Sequence, residues 1–77
     1  MKNVLIYSIG KKLCFQSNEI INAGRLEIFN EVGQKIVEST VSDTEYGSLH
    51  LEAPRGIYRV KLILEDSLIE KRIFIGE

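Results

Sequence analysis

The sequence predicts an all-β fold, a small antiparallel β-sandwich of about seven strands with an immunoglobulin-like arrangement. The first observation is the alternation of apolar and basic residues over 57–64, which places the two kinds of residue on opposite faces of a strand. The second is that turn-forming residues recur at intervals of about 8–12 residues. The third is that no segment has the 3.6-residue period of an amphipathic helix. Together they indicate half-buried antiparallel strands.

The first half of the chain is predicted to form hairpins. Residues 4–9 and 13–15 suit two strands joined by a turn at Gly10. After a polar closure at 17–19 and a turn at 22–24, residues 25–29 alternate again, with Leu26 and Ile28 on one face. Residues 30–33 are then a turn in which Gly33 supplies the positive φ that such turns often need. A return strand follows over 35–41.

The second half begins with a polar stretch at 42–47, which we interpret as a loop. A short strand over 48–52 places Leu51 inward and His50 outward, and the connection at 53–56 contains Pro54, which cannot donate to a sheet ladder. The strongest strand is 57–64. The last strand, 67–75, has an ambiguous alternation because Lys71 shares the parity of the inward apolar residues, and a bulge would resolve it.

Length and composition indicate one small domain without a nucleic-acid partner. A chain of 77 residues makes a single domain, here spanning 1–77, that buries roughly 60–65% of its unfolded surface. The net charge of −1 argues against a nucleic-acid interface, which needs a concentrated basic surface. No stretch is long and apolar enough to predict a transmembrane segment. The apolar run at 4–9 is too short for a signal-peptide core, so we interpret it as a strand.

The residues that commonly carry catalysis or bind metals are scarce. With one cysteine, Cys14, and one histidine, His50, the chain has too few ligands for zinc and cannot form an intramolecular disulfide. Neither residue lies in a motif that marks a nucleophile. Asp43 and Glu45 offer oxygen atoms for calcium, but their spacing is generic. We therefore predict no enzyme activity, no catalytic residues, no cofactor and no metal.

Four segments carry a family resemblance. They are IYSIGKKL at 6–13, GRLEIFNEVGQKIV at 24–37, PRGIYRVKL at 54–62 and EKRIFI at 70–75. The first resembles an opening hairpin, and the second resembles a strand, a turn with Asn and Gly, and a returning strand. The third resembles the box Gly-[Ile/Val]-Tyr-x-Val-[Lys/Arg], and the fourth resembles a closing basic pair followed by apolar residues. Nearly the whole chain, from about Val4 to Ile75, is similar to the C-terminal sorting domain of the type IX secretion system. This domain is found on surface and secreted proteins of Bacteroidetes.

This resemblance implies a seven-stranded β-sandwich at the C-terminus of a longer exported protein, preceded by a cargo domain. The outer-membrane secretion machinery would read the module, so that the protein passes from the periplasm to the cell surface or the medium, and the module itself would be non-catalytic. The resemblance implies structural signature positions at Gly33, Gly56, Tyr58 and Val60. It also implies that Lys71 and Arg72 form the basic part of a terminal signal.

An alternative function remains open. An immunoglobulin-like accessory module at the cell surface would bind a protein or a glycan, and Tyr46 and Phe29 are the aromatic candidates for such a platform. Sheets of this size also have exposed edge strands, which would allow a homodimer through edge pairing.

Overall fold

The computed structural model describes residues 3–76, and within them the chain forms strands and turns without a helix. The strands are β1 (Val4–Ile9), β2 (Lys12–Phe29), β3 (Lys35–His50), β4 (Gly56–Leu64) and β5 (Leu68–Ile75). Every strand pair is antiparallel. The all-β, antiparallel part of the prediction is therefore confirmed.

The prediction of about seven separate strands is not confirmed, since residues 3–76 form five strands in one sheet. The segments 13–15 and 25–29 belong to one 18-residue strand, β2. The segments 35–41 and 48–50, with the predicted loop between them, belong to the 16-residue β3. The polar stretch stays extended because it pairs with β2, as in Ile21 opposite Thr44. A strand that faces solvent tolerates polar residues, so polarity alone did not distinguish it from a loop.

The long strands β2 and β3 curl the sheet. The β2–β3 register shifts between Gln16 and Ile21, which bends both strands. The first half of β2 pairs with β1 and with the end of β3, whereas its second half pairs with β4 and with the start of β3. The strand order is β1-β2-β4-β5, with β3 also on β2. Each long strand thus contributes to both sides of the core.

The two ends of the strand order, β1 and β5, meet at a seam. The backbone N–H of Gly76 donates to the carbonyl of Gly10 at 2.9 Å. The hydroxyl of Ser8 donates to the carbonyl of Phe74 at 2.7 Å. No ladder of backbone hydrogen bonds joins β1 to β5 in residues 3–76. The seam is therefore closed by a few individual hydrogen bonds.

The curled sheet encloses one apolar core, to which every strand contributes residues. Its buried members are Ile6, Leu13, Phe15, Ile21, Leu26, Ile28, Val41, Leu51, Tyr58, Val60, Leu62, Leu64, Ile73 and Ile75. The predicted inward faces of 25–29 and 57–64 are confirmed, as are the inward Leu51 and the exposed His50. The suggested bulge in the last strand is wrong, because β4 and β5 pair without a register shift.

Candidate functional site

The turn around Gly33 is organised by the side chain of Asn30. Its Oδ1 accepts hydrogen bonds from the backbone N–H of Val32 at 3.1 Å and of Gln34 at 2.9 Å. Gly33 has φ +87°, so the predicted positive φ is confirmed, and its N–H donates to the carbonyl of Asn30 at 3.0 Å. Asn and Gly therefore act together to reverse the chain between β2 and β3.

The three signature residues on β4 are structural in different ways. Val60 is fully buried in the core. Tyr58 is also buried, and its hydroxyl donates to the carbonyl of Pro54, so the ring packs in the core while its polar end fixes the preceding connection. Gly56 begins the strand, and a methyl group added there would meet nothing nearer than the Glu31 carboxylate at 3.8 Å.

Lys71 closes the seam. Its Nζ donates to the backbone carbonyl of Ile6 at 3.0 Å. Because Lys71 has inward parity on an edge strand, its long side chain passes across the seam and satisfies a carbonyl of β1 that no strand pairs with on that side. The apparent break in alternation that suggested a bulge is thus explained by the position of β5 at the edge.

Arg72 lies on the outer face, where it is exposed and directly opposite Arg59 of β4. The guanidinium of Arg59 contacts the carboxylate of Glu70 at 3.3 Å. Arg72 makes no ion pair or hydrogen bond within residues 3–76. On the same face, the guanidinium of Arg55 lies 5.9 Å from the centre of the Phe74 ring. We call the exposed side chains Arg55, Arg59, Arg72 and Phe74 the arginine face.

A shallow depression of about 370 Å³ adjoins the arginine face. Its lining residues are Asn30, Glu31, Ile57, Tyr58, Arg59 and Arg72. Of the six signature residues, Tyr58 and Arg72 meet here, and Gly56 lines an adjoining depression. Gly33, Val60 and Lys71 lie elsewhere, in the turn, the core and the seam. The depression has two guanidinium groups and one carboxylate, which suits a ligand with an anionic group.

The rest of this outer face carries neutralised charges. Glu27 is largely buried between Arg25, 2.9 Å from its Oε2, and Lys35, 3.5 Å from the same atom. Lys35 also contacts Glu38, and this hydrogen bond raises the pKa of Lys35 and lowers the pKa of Glu38. Lys61 lies 5.0 Å from the centre of the Phe29 ring. Phe29 is only partly exposed and already covered by a cation, so it is a poor platform for a ligand.

A second concave surface, which the sequence does not predict, follows β3. It is a cleft of about 280 Å³ lined by Leu13, Phe15, Leu26, Ser39, Thr40, Val41, Ser42, Thr44, Tyr46, Gly47, Ser48 and Leu49. Its floor is apolar and its rim carries hydroxyl groups. Tyr46, at the rim, is 73% exposed. The signal in the sequence is the run of Ser and Thr between 39 and 48, whose central part, 42–47, has the polar composition of a loop.

Neither His50 nor Cys14 lines either surface. The His50 Nε2 is 3.2 Å from the Glu52 carboxylate, and both side chains are exposed. Cys14 is a buried residue of β2. Within residues 3–76 no three His, Cys, Asp or Glu side chains are grouped as a metal site would require, and no helix is present that could cross a membrane.

No protein-family model matches this chain, and no curated protein is significantly similar to it.

Proposed function

We propose that this chain is a non-catalytic sorting and surface-anchoring module, read by an outer-membrane secretion machinery. In this proposal it is the C-terminal module of a longer exported protein whose cargo domain lies upstream. The protein passes through the periplasm to the outer-membrane surface or the medium. The proposal rests on the similarity of its motifs to type IX sorting domains and on one structural observation, the exposed arginine on the last strand.

That observation is the position of Arg72 opposite Arg59. Like charges directly opposite one another on neighbouring strands destabilise a sheet by roughly 0.2–1 kcal/mol. Glu70 offsets one of the two charges and leaves the Arg72 guanidinium without an anionic partner among residues 3–76. A sequence that departs from local stability rules at an exposed position is expected to do so at a functional site. Arginine is suited to binding a carboxylate or phosphate on a receptor.

Lys71 has a different part in the proposal. Its Nζ is already engaged with the carbonyl of Ile6, so it stabilises the strand that presents Arg72 instead of contacting the receptor. In this proposal the two basic residues of the terminal signal have different roles: Lys71 holds β5 against β1, and Arg72 contacts the secretion machinery.

The proposed module uses the curled sheet as the sandwich of the sorting-domain family. The bend divides β2 and β3 into two halves each, and these four halves together with β1, β4 and β5 make seven straight segments. Three of them, β1, the start of β2 and the end of β3, lie on one side of the core. The other four lie opposite. This count supports the immunoglobulin-like arrangement as the finer description of the fold.

The test is an export assay. Residues 1–77 are fused behind a periplasm-directed fluorescent reporter in a Bacteroidetes host with a working type IX system and in a translocon-null strain. We expect reporter at the surface or in the medium of the first strain only. Removing residues 71–77 would also remove Ile73 and Ile75 from the core, so truncation confuses signal with folding.

Point variants separate loss of the sorting signal from loss of folding. Arg72→Ala should reduce export while leaving the circular dichroism spectrum of the purified domain unchanged and its melting temperature unchanged or slightly raised, because the repulsion from Arg59 is removed. Lys12→Ala is the matched control, since Lys12 is an exposed cation on β2, away from the arginine face. Reporter retained in the periplasm of both strains, with the domain folded, would refute the sorting function.

A second candidate function is an accessory module that binds a protein or glycan at the cell surface. The observation that favours it is the cleft along β3 with Tyr46 exposed on its rim. A ligand of this surface would raise the melting temperature once its concentration exceeded the dissociation constant, and Tyr46→Ala would abolish that rise without changing the stability of the unliganded domain.

A further inference from the structure

The outer edge of β3 differs from the other sheet edges. The edges of β1 and β5 meet at the seam, where Lys71 and Ser8 bridge them. β3 pairs with β2 along one side only, and no strand within residues 3–76 pairs with its other side. An edge strand of this length offers a row of backbone donors and acceptors to another extended chain.

The accessible stretch of this edge is 36–42. Beyond it, the chain is irregular at Asp43, which has φ +52°. The Thr44 hydroxyl donates to the carbonyl of Tyr46 at 2.7 Å and accepts from the Tyr46 N–H at 3.3 Å, so both backbone groups of that residue are already occupied. Within 36–42 no side chain caps a backbone N–H in the described structure, and the Ser39 hydroxyl makes only a long contact of 3.5 Å to the Thr40 carbonyl.

The cleft lies beside this stretch. Ser39, Thr40, Val41 and Ser42 line it, and the aromatic ring of Phe15 contributes to its floor. An extended chain paired with 36–42 would direct alternate side chains into the cleft and the others to solvent. A volume of about 280 Å³ holds one or two aliphatic side chains. A glycan would fill the cleft without using the backbone groups of the edge.

Two acidic residues, Asp43 and Glu45, alternate along β3 with the cleft-lining residues Ser42, Thr44 and Tyr46. Asp43 and Glu45 are exposed and make no ion pair within residues 3–76. Glu38 is the nearest other carboxylate along β3, and it is partnered by Lys35. The segment from 38 to 45 contains no basic residue. Its charge therefore complements a cationic occupant.

We propose that the β3 edge binds an extended peptide segment in which aliphatic and basic residues alternate. The peptide adds a strand at 36–42, its aliphatic side chains enter the cleft, and its basic side chains approach Asp43 and Glu45. This inference rests on the second candidate function and is independent of sorting, because the arginine face belongs to other strands. A second copy of this chain fits less well, since pairing β3 with β3 would bring two acidic segments together.

The test uses purified residues 1–77 and a capped synthetic heptapeptide of alternating lysine and isoleucine. Binding is followed by the backbone amide resonances and by amide hydrogen exchange. We expect the amides of 36–42 to shift and to gain protection. The same peptide methylated on alternate backbone nitrogens keeps its charge and loses ladder donors, so it should fail to bind.

Charge variants provide the second arm. Asp43→Asn keeps a residue type that tolerates a positive φ, and with Glu45→Gln it should weaken binding about two- to fivefold per charge at low salt. Glu65→Gln with Asp66→Asn makes the same chemical change in the exposed β4–β5 turn and should leave affinity unchanged.

Any of three positive results would overturn the proposal, and so would a failure to bind. The positive results are equal binding of the methylated peptide, shifts located away from β3, and concentration-dependent self-association that protects 36–42 without peptide. Absence of binding at millimolar peptide would overturn it as well. None of these results bears on export through Arg72, and glycan-induced shifts at Tyr46 without peptide binding would keep the accessory-module function while rejecting its peptide ligand.

Discussion

Gly47 should be intolerant of a side chain because the Phe15 ring occupies the space that a Cβ would need. An ideal Cβ at position 47 would lie 2.6 Å from Phe15 Cε2 and 2.7 Å from Cζ. Phe15 is buried in the core and stands directly opposite Gly47 in the β2–β3 pairing, so its ring can relieve the clash only by turning toward the β3 cleft and giving up part of its core packing. Gly47→Ala should therefore act as an overpacking substitution.

The expected magnitude follows from two opposing effects. Overpacking of a dense core costs roughly 1–3 kcal/mol. Replacing glycine with alanine lowers the entropy of the unfolded chain, which stabilises by about 0.4–1 kcal/mol. The net effect of Gly47→Ala is a loss of roughly 1–2 kcal/mol in the free energy of unfolding, or about 4–16 °C in melting temperature for a domain of this size.

Gly56→Ala is the matched control. Gly56 also lies in a strand with no positive φ, and the nearest atom to its ideal Cβ is 3.8 Å away. It should therefore be neutral or stabilising by up to about 1 kcal/mol. Urea unfolding followed by circular dichroism gives both midpoints. Equal midpoints for the two variants, with unchanged m-values, would refute the predicted clash with Phe15.

Three further predictions concern the turn, the β4 connection and an exposed ion pair. Gly33→Ala should lose about 1–2 kcal/mol in thermal unfolding, because its φ of +87° is unfavourable for a residue with a Cβ; an unchanged melting temperature would contradict this. Tyr58→Phe removes the hydroxyl that donates to Pro54 and should lose about 0.5–1.5 kcal/mol in urea unfolding, without changing the amide spectrum of the core. The lowered pKa of Glu38 predicts a stabilising contribution that is present above its unfolded-state pKa and is lost as the pH falls through the folded-state pKa. Lys35→Met should return the Glu38 pKa, measured by carboxyl NMR titration, toward 4.5, and a Glu38 pKa that stayed low would show another cause.

The candidate sites were predictable only in part. The motifs led to Tyr58 and Arg72, which line one depression. They did not indicate that Arg59 would stand opposite Arg72, because cross-strand neighbours depend on the register between strands. The β3 cleft was missed since its Ser and Thr residues have the composition of a loop.

Local patterns were sufficient for the strand character of the chain, for the buried face of β4 and for the turn at Gly33. These features depend on residues close in sequence, namely a period of two and one backbone conformation that favours glycine. Three features are visible only in the tertiary structure. They are the continuity of β2 and β3, the seam bridged by Lys71, and the Phe15 ring in the space where a Cβ at position 47 would lie. Each depends on contacts between segments far apart in the chain, whose register and bending no local pattern encodes.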